Sequence, residues 1–172
     1  MQPESDCVAF PSFGDPRLDD IYRYWLSKRR DGVLPRRGDI KPGELGAVIR
    51  HINLVDVIRE PGKPLQFRHR LMGTGISEWL GQDLTGRLVD ETIYGPAAGA
   101  IIASLAKIVE TAQPYHRLAP LDWNNRKFAL AESVELPLSG ETPEVAMILR
   151  GAVYRHRAGE APQPMFEPLP LD

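Results

Sequence analysis

The chain has 172 residues, of which 42% are hydrophobic, 26% charged and 8% aromatic; that balance describes one folded domain and excludes the polar, charge-rich composition of a disordered chain. Its 21 Lys and Arg against 23 Asp and Glu exclude a globally basic nucleic-acid binder, so any charge-driven partner has to use a local patch. A single cysteine, Cys7, excludes an internal disulfide or a thiolate zinc cluster and points to the reducing cytoplasm.

Pro3, Pro11 and Pro16 punctuate the beginning of the sequence, and Pro162, Pro164, Pro168 and Pro170 crowd its end. Residues 1–14 and 157–172 therefore read as tails without regular structure, flanking a domain over 15–156. The first residues carry neither a basic region nor an apolar run, so no secretory signal is expected. The longest uncharged stretch, residues 92–106, falls short of the roughly 20 apolar residues of a membrane span, so no membrane is expected as a partner. No repeat period is visible.

Asp15 as N-cap and Pro16 in the first turn open an amphipathic helix whose apolar face is Leu18, Ile21, Tyr22, Trp25 and Leu26. Acidic Asp19 and Asp20 near its start and basic Lys28, Arg29 and Arg30 near its end suit the helix dipole. A linker over 34–39 and a short helical piece over 42–49 follow. Residues 51–58 are rich in β-branched side chains, and Glu60-Pro61-Gly62 supplies a turn. Residues 65–72 alternate Phe67, His69 and Leu71 with Gln66, Arg68 and Arg70, as a half-exposed strand does, completing a hairpin. Ile76, Trp79 and Leu80 mark a short helix. Pro96 opens a longer one with Ile101, Leu105, Ile108 and Ala112 on one face. Extended runs over 114–121, 127–138 and 144–154 finish the domain. Short turns between them imply antiparallel pairing, and hence an α+β fold with one sheet and helices on one of its faces.

The element order, together with Trp25 and Lys28-Arg29-Arg30, Leu34-Pro35-Arg36-Arg37-Gly38-Asp39-Ile40, Ile52-Asn53-Leu54-Val55-Asp56-Val57, Phe67-Arg68-His69-Arg70-Leu71-Met72-Gly73-Thr74, Asp83-Leu84-Thr85-Gly86 and Asp90-Glu91, resembles a bacterial PAS-domain family. Glu135-Leu136-Pro137-Leu138 and Ala146-Met147-Ile148-Leu149 fit the same pattern, and the resemblance covers residues 18–154. It implies a five-stranded antiparallel sheet over a small helical layer, a pocket between them, and an extra N-terminal helix of the kind that pairs two copies. It also implies a sensory or regulatory module with no reaction of its own. Among the cofactors that such modules carry, a flavin adduct needs a thiol at the ring, whereas Cys7 lies in the leading tail. An axial haem histidine belongs on the long helix, and residues 96–112 contain none. The cofactor stays unknown.

Several residues invite a chemical role. His69 and His116 lie on predicted strands without a second ligand at metal spacing, so each reads as a partly exposed strand residue and no metal is expected. Glu132 shares strand parity with Leu130, Val134 and Leu136. Perfect alternation turns its carboxylate to the core or pocket, where it needs a partner, while a bulge turns it to solvent. Gly73-Thr74-Gly75 has Glu78 where a dinucleotide loop needs its third glycine. Residues 28–50 hold seven basic groups against three acidic ones. Arg36 and Arg37 are the anion-binding candidates there, beside the plainer reading of a solvated linker. Trp79, Tyr94, Leu105, His116, Trp123, Glu132 and Met147 are candidates for the pocket, beside the alternative of a filled core. Tyr22, Trp25 and Leu26 are expected to be buried, against the open side of the sheet or against a second subunit.

Three functional readings follow in order: a cytoplasmic sensor that binds a small molecule or a signalling partner and works as a homodimer; a ligand-free dimeric adaptor; and a small enzyme using Glu132 with His116 as acid and base. The leading reading names no catalytic residue.

Overall fold

The computed structural model describes residues 11–121, 129–160 and 162–171. Helix α1, Pro16–Lys28, begins where the sequence places it, with the Asp15 carboxylate accepting from the Arg17 amide at 2.9 Å. A short α2, Pro42–Leu45, leads through a 3-10 turn into β1, Ile52–Ile58, and β2, Gln66–Met72. Then come α3, Thr74–Leu80, α4, Glu91–Tyr94, and α5, Ala98–Thr111. Strands β3, Tyr115–Pro120, β4, Ala129–Ser139, β5, Val145–His156, and β6, Met165–Pro168, complete the chain.

The sheet has the order β2-β1-β5-β4-β3-β6, antiparallel throughout. This is the α+β class with six strands rather than five. The added strand, β6, comes from the proline-rich end read as a tail. It pairs on one side only, with β3, so its free edge tolerates the neighbouring prolines. Phe166 stacks on Tyr115 with ring centroids 4.3 Å apart and planes 8° apart, which fixes its register.

Alternation along the strands divides the apolar interior in two. On one face Val55, Phe67, Ala129, Ala131, Ile148 and Ala152 meet α3, α4 and α5 through Ile76, Leu80, Tyr94, Leu105 and Ile108. On the other, Leu54, Val134, Leu136, Leu149 and Val153 meet Leu18, Ile21, Tyr22 and Trp25 of α1. Helices thus cover both faces, because the apolar stripe of α1 has to be buried somewhere and its own sheet supplies the surface. Tyr22 and Trp25 are buried inside the chain, and Leu26 is half-buried against the same cluster. The two aromatic rings are spent on the sheet of their own chain. The indole N–H of Trp25 donates to the Pro137 carbonyl at 3.0 Å, and the Tyr22 hydroxyl donates to the Pro170 carbonyl.

Two local departures from simple alternation matter. A register shift opposite Leu54 and Val55 leaves Leu71 exposed and turns Met72 inward. At the end of β2, a Cβ on Gly73 would stand 2.3 Å from the Arg50 carbonyl oxygen, so only glycine lets the two segments touch. That packing, rather than phosphate binding, accounts for the glycine. The 21-residue stretch Glu91–Thr111 holds an 18-residue window of mean hydropathy 1.4, enough by length and composition to cross a membrane and more than the uncharged stretch suggested. Here it is interrupted at Gly95, with φ 51°, and its Leu105 and Ile108 are packed on the sheet.

Replacing Trp25 by Ala removes a fully buried ring and its hydrogen bond. Denaturant unfolding should show a loss of about 3–5 kcal/mol, with the same midpoint shift at every protein concentration because the contact lies within one chain. A shift that vanished on dilution would instead place the ring between subunits.

Candidate functional site

A cavity of about 430 Å³ lies between the inner face of the sheet and α4 and α5, with Pro164, Met165 and Phe166 of the C-terminal segment along one side. Most of its wall is aliphatic. The polar exceptions come mainly from neighbouring strands of the sheet, with Tyr94 of α4 and Ser104 of α5 on the helical side.

The first polar group is a chain of three. Asn53 on β1 contacts Nδ1 of His69 on β2 at 3.2 Å, and Nε2 of His69 meets the Tyr94 hydroxyl of α4 at 2.8 Å. His69 is 2% exposed. Burial, reinforced by the positive charge of Arg150, pushes its pKa down to about 4, so the ring is neutral at pH 7 with one nitrogen donating and the other accepting. Burial also pushes the Tyr94 hydroxyl up, keeping it protonated.

The second polar group carries the charge. Glu135 on β4 stands directly opposite Arg150 on β5 and diagonally across from Arg117 on β3. Nε of Arg150 is 3.1 Å and Nε of Arg117 3.6 Å from the same oxygen, Oε1 of Glu135, to which the Ser133 hydroxyl also donates at 3.0 Å. These are ion-pair distances, yet neither Nε is aligned for a hydrogen bond, and Oε2 of Glu135 is buried without one as well. Burial weakens the Arg117 cation, with Glu135 opposing. At Arg150 burial also acts against the charge, but Glu135, Tyr154 and Tyr94 outweigh it. Both guanidiniums stay charged. The Arg117 guanidinium lies 5.2 Å from the Phe166 ring centroid.

The residues expected at the pocket divide. Tyr94 and Leu105 line the cavity. Trp79 does not; its ring stacks behind Tyr154, 6.0 Å away, and beside His156. Met147 has the other parity on β5 and packs in the α1 cluster. Trp123 lies outside the described residues, as does Cys7. Arg36 and Arg37 are exposed on the far linker, where the Arg37 guanidinium donates to the Ile40 carbonyl. His69, read as partly exposed, is a buried member of the site, while Asn53, Arg117, Glu135 and Arg150 escaped the sequence reading. The available signal was parity: Arg150 interrupts the apolar run from Val145 to Tyr154.

Glu132 and His116 meet each other on the opposite face. Glu132 is 3% exposed, so no bulge turns it to solvent. Its Oε1 accepts from the Gly14 amide at 2.9 Å and lies 2.9 Å from Nε2 of His116; Oε2 accepts from Arg155 at 2.6 Å. The Phe13 ring covers His116 with centroids 4.8 Å apart. Against the opposing effect of burial, these donors hold the carboxyl down to about 2, which is not the proton affinity of a general base working near neutral pH. The cluster is a clamp that ties the segment before α1 to the sheet.

Both sites make the fold sensitive to acid. His69 accepts a proton near pH 6.5 when unfolded and near 4 when folded, so its contribution is complete above 6.5 and declines by about 3 kcal/mol as the pH falls to 4. Glu132, ordinarily near 4.5 and here near 2, adds a second decline below pH 4.5. His69→Gln should flatten the upper part of the stability profile measured by urea titration, and Glu132→Gln the lower part. Slopes unchanged by either substitution would contradict the assignment.

A model of the PAS domain matches residues 15–149, from the N-cap of α1 into β5. Comparison with curated proteins and with solved structures finds no match. PAS domains are sensory or regulatory modules and, as a class, not enzymes. The match spans most of the sequence, and β6 lies beyond it; the chain belongs to the PAS-domain family.

Proposed function

We propose that this protein is a non-catalytic sensor whose ligand is a small molecule held in the cavity, and whose output is a change in how the C-terminal segment sits on α1. The observation that carries this reading is the composition of the cavity wall. Apolar side chains from β1, α3 and α5 surround three ionised groups on three neighbouring strands, and several of their polar atoms are buried without hydrogen bonds. Each such atom costs about 1–3 kcal/mol, and a fold keeps groups of this kind where they serve something other than stability.

The route outward is short. Pro164, Met165 and Phe166 line the cavity; Leu169 is then buried in the cluster around α1, Pro170 accepts from Tyr22, and the Leu171 carbonyl accepts from Arg29 at 2.8 Å. One continuous segment therefore touches both the ligand site and the N-terminal helix. A ligand that prefers one placement of Phe166 shifts the population of placements at Leu169, and a partner protein reads that shift by contact.

The test is a thermal-shift screen of a metabolite library, followed by hydrogen exchange with and without each hit. A hit should raise the midpoint and change exchange at residues 164–171 and in α1. Ala131→Phe and Ser104→Trp, which fill the cavity from the sheet and from α5, should abolish the response while both proteins remain folded. Hits that survive both substitutions would place the ligand elsewhere, and a library without any hit would favour the ligand-free adaptor.

A further inference from the structure

We infer that the ligand is a small organic acid whose single carboxylate sits on the terminal guanidinium nitrogens of Arg117 and Arg150, with an apolar remainder against Val55, Leu80 and Leu105. This rests on the reading of the cavity as a ligand site and adds the chemistry that the site selects.

The argument begins with a charge count. Arg117 and Arg150 contribute two positive charges, and Glu135 is the only acid among the described residues that line the cavity. Both guanidiniums address the same oxygen of that carboxylate, so one cation is neutralised and one is left over. The remaining polar residues of the lining, Asn53, His69, Tyr94, Ser104 and Tyr154, carry no negative charge and do not supply the difference. A leftover cation against an aliphatic wall has lost most of its hydration, and an anion restores the lost interaction more strongly there than at the surface. The fork of a guanidinium matches the geometry of a carboxylate.

The same count sets the size of the charge. One excess cation matches one carboxylate, whereas a phosphate monoester, carrying close to two negative charges, would leave the site overfilled. The wall sets the rest of the molecule, since beyond the arginines the cavity offers mainly aliphatic contact. The acid also meets the segment that conveys the signal, because the Arg117 guanidinium rests over Phe166. Holding the acid and holding Phe166 are then one arrangement.

Calorimetric titration with butanoate, hexanoate, octanoate and phenylacetate, each beside its own primary amide, and with octyl phosphate, tests this directly. At least one acid should bind the wild-type protein about tenfold or more tightly than its amide. Arg117→Gln and Arg150→Gln should reduce that acid to the level of its amide. Glu135→Gln, which increases the excess positive charge, should tighten the acid and leave the amide unchanged; this variant decides the matter should either arginine substitution fail to fold. An amide equal to its acid, with both lost in Ala131→Phe, would overturn the carboxylate while preserving the cavity as the site. Preference for octyl phosphate would likewise reject the carboxylate. Binding by none of the acids, amides or phosphate would count against the site itself and the inference with it.

Discussion

The strict alternation of β4 between β3 and β5 is the constraint on which the rest depends. It sends two buried carboxylates of one strand to opposite faces: Glu132 toward α1 with Val134 and Leu136, and Glu135 toward the cavity with Ala131 and Ser133. Neither acid can change sides without reversing every neighbour, since a slip of one residue inverts the whole pattern. The long pairing of β4 with β5, continuous from Ala129 to Leu138, makes that slip costly.

The two carboxylates are treated differently by their surroundings. Glu132 receives the Gly14 amide and the Arg155 guanidinium and contacts His116, so its burial is compensated by hydrogen bonds of about 1.5–3 kcal/mol each where charge is involved. Its role is to hold, and Gly14 leaves no space for anything else: a Cβ there would lie 2.7 Å from the carboxylate. Glu135 faces two cations at imperfect geometry and keeps one oxygen without a hydrogen bond. A compensated charge stabilises a structure, whereas an undercompensated one stores interaction that a further molecule can complete. One face of the sheet thus carries a charge cluster closed by hydrogen bonds, and the other a cluster left partly open.

How far the sequence disclosed this follows from which signals are local. Helix α1 was legible down to its cap because Asp15, Pro16 and the apolar spacing act within the helix itself, and the hairpin of β1 and β2 was legible through Pro61-Gly62. The orientation of Glu132 stayed open between burial by strict alternation and a bulge to solvent, because Gly14 and Arg155, which compensate the buried carboxylate, are distant in sequence. What escaped depends on partners distant in sequence. Arg150 becomes a site residue only when β5 lies beside both β1 and β4, bringing it opposite Asn53 and Glu135, and no periodicity records that neighbour order. His69 was misjudged because a half-polar strand looks exposed until α4 is laid over it. The strand β6 was hidden by its prolines, which forbid a central strand and permit an edge. Met147 was assigned to the pocket from its composition, although its parity on β5 already pointed to α1.

That edge strand is also the part of the molecule best suited to move. It is four residues long, bonded on one side, preceded by Pro164 and ended by Pro168; short edge elements open at far lower free energy than a central pair such as β4 and β5. A ligand displaces an equilibrium only by the difference in its affinity for the two states, so a sensing element has to be held weakly enough for one small molecule to matter. The ring of Phe166, in contact with both the Tyr115 ring and the Arg117 guanidinium, supplies a hold of that kind, since it joins the strand to one of the two cations that line the cavity. On the proposed sensor reading, binding at Arg117 would alter the docking of β6 and, through Leu169 and Leu171, the environment of α1.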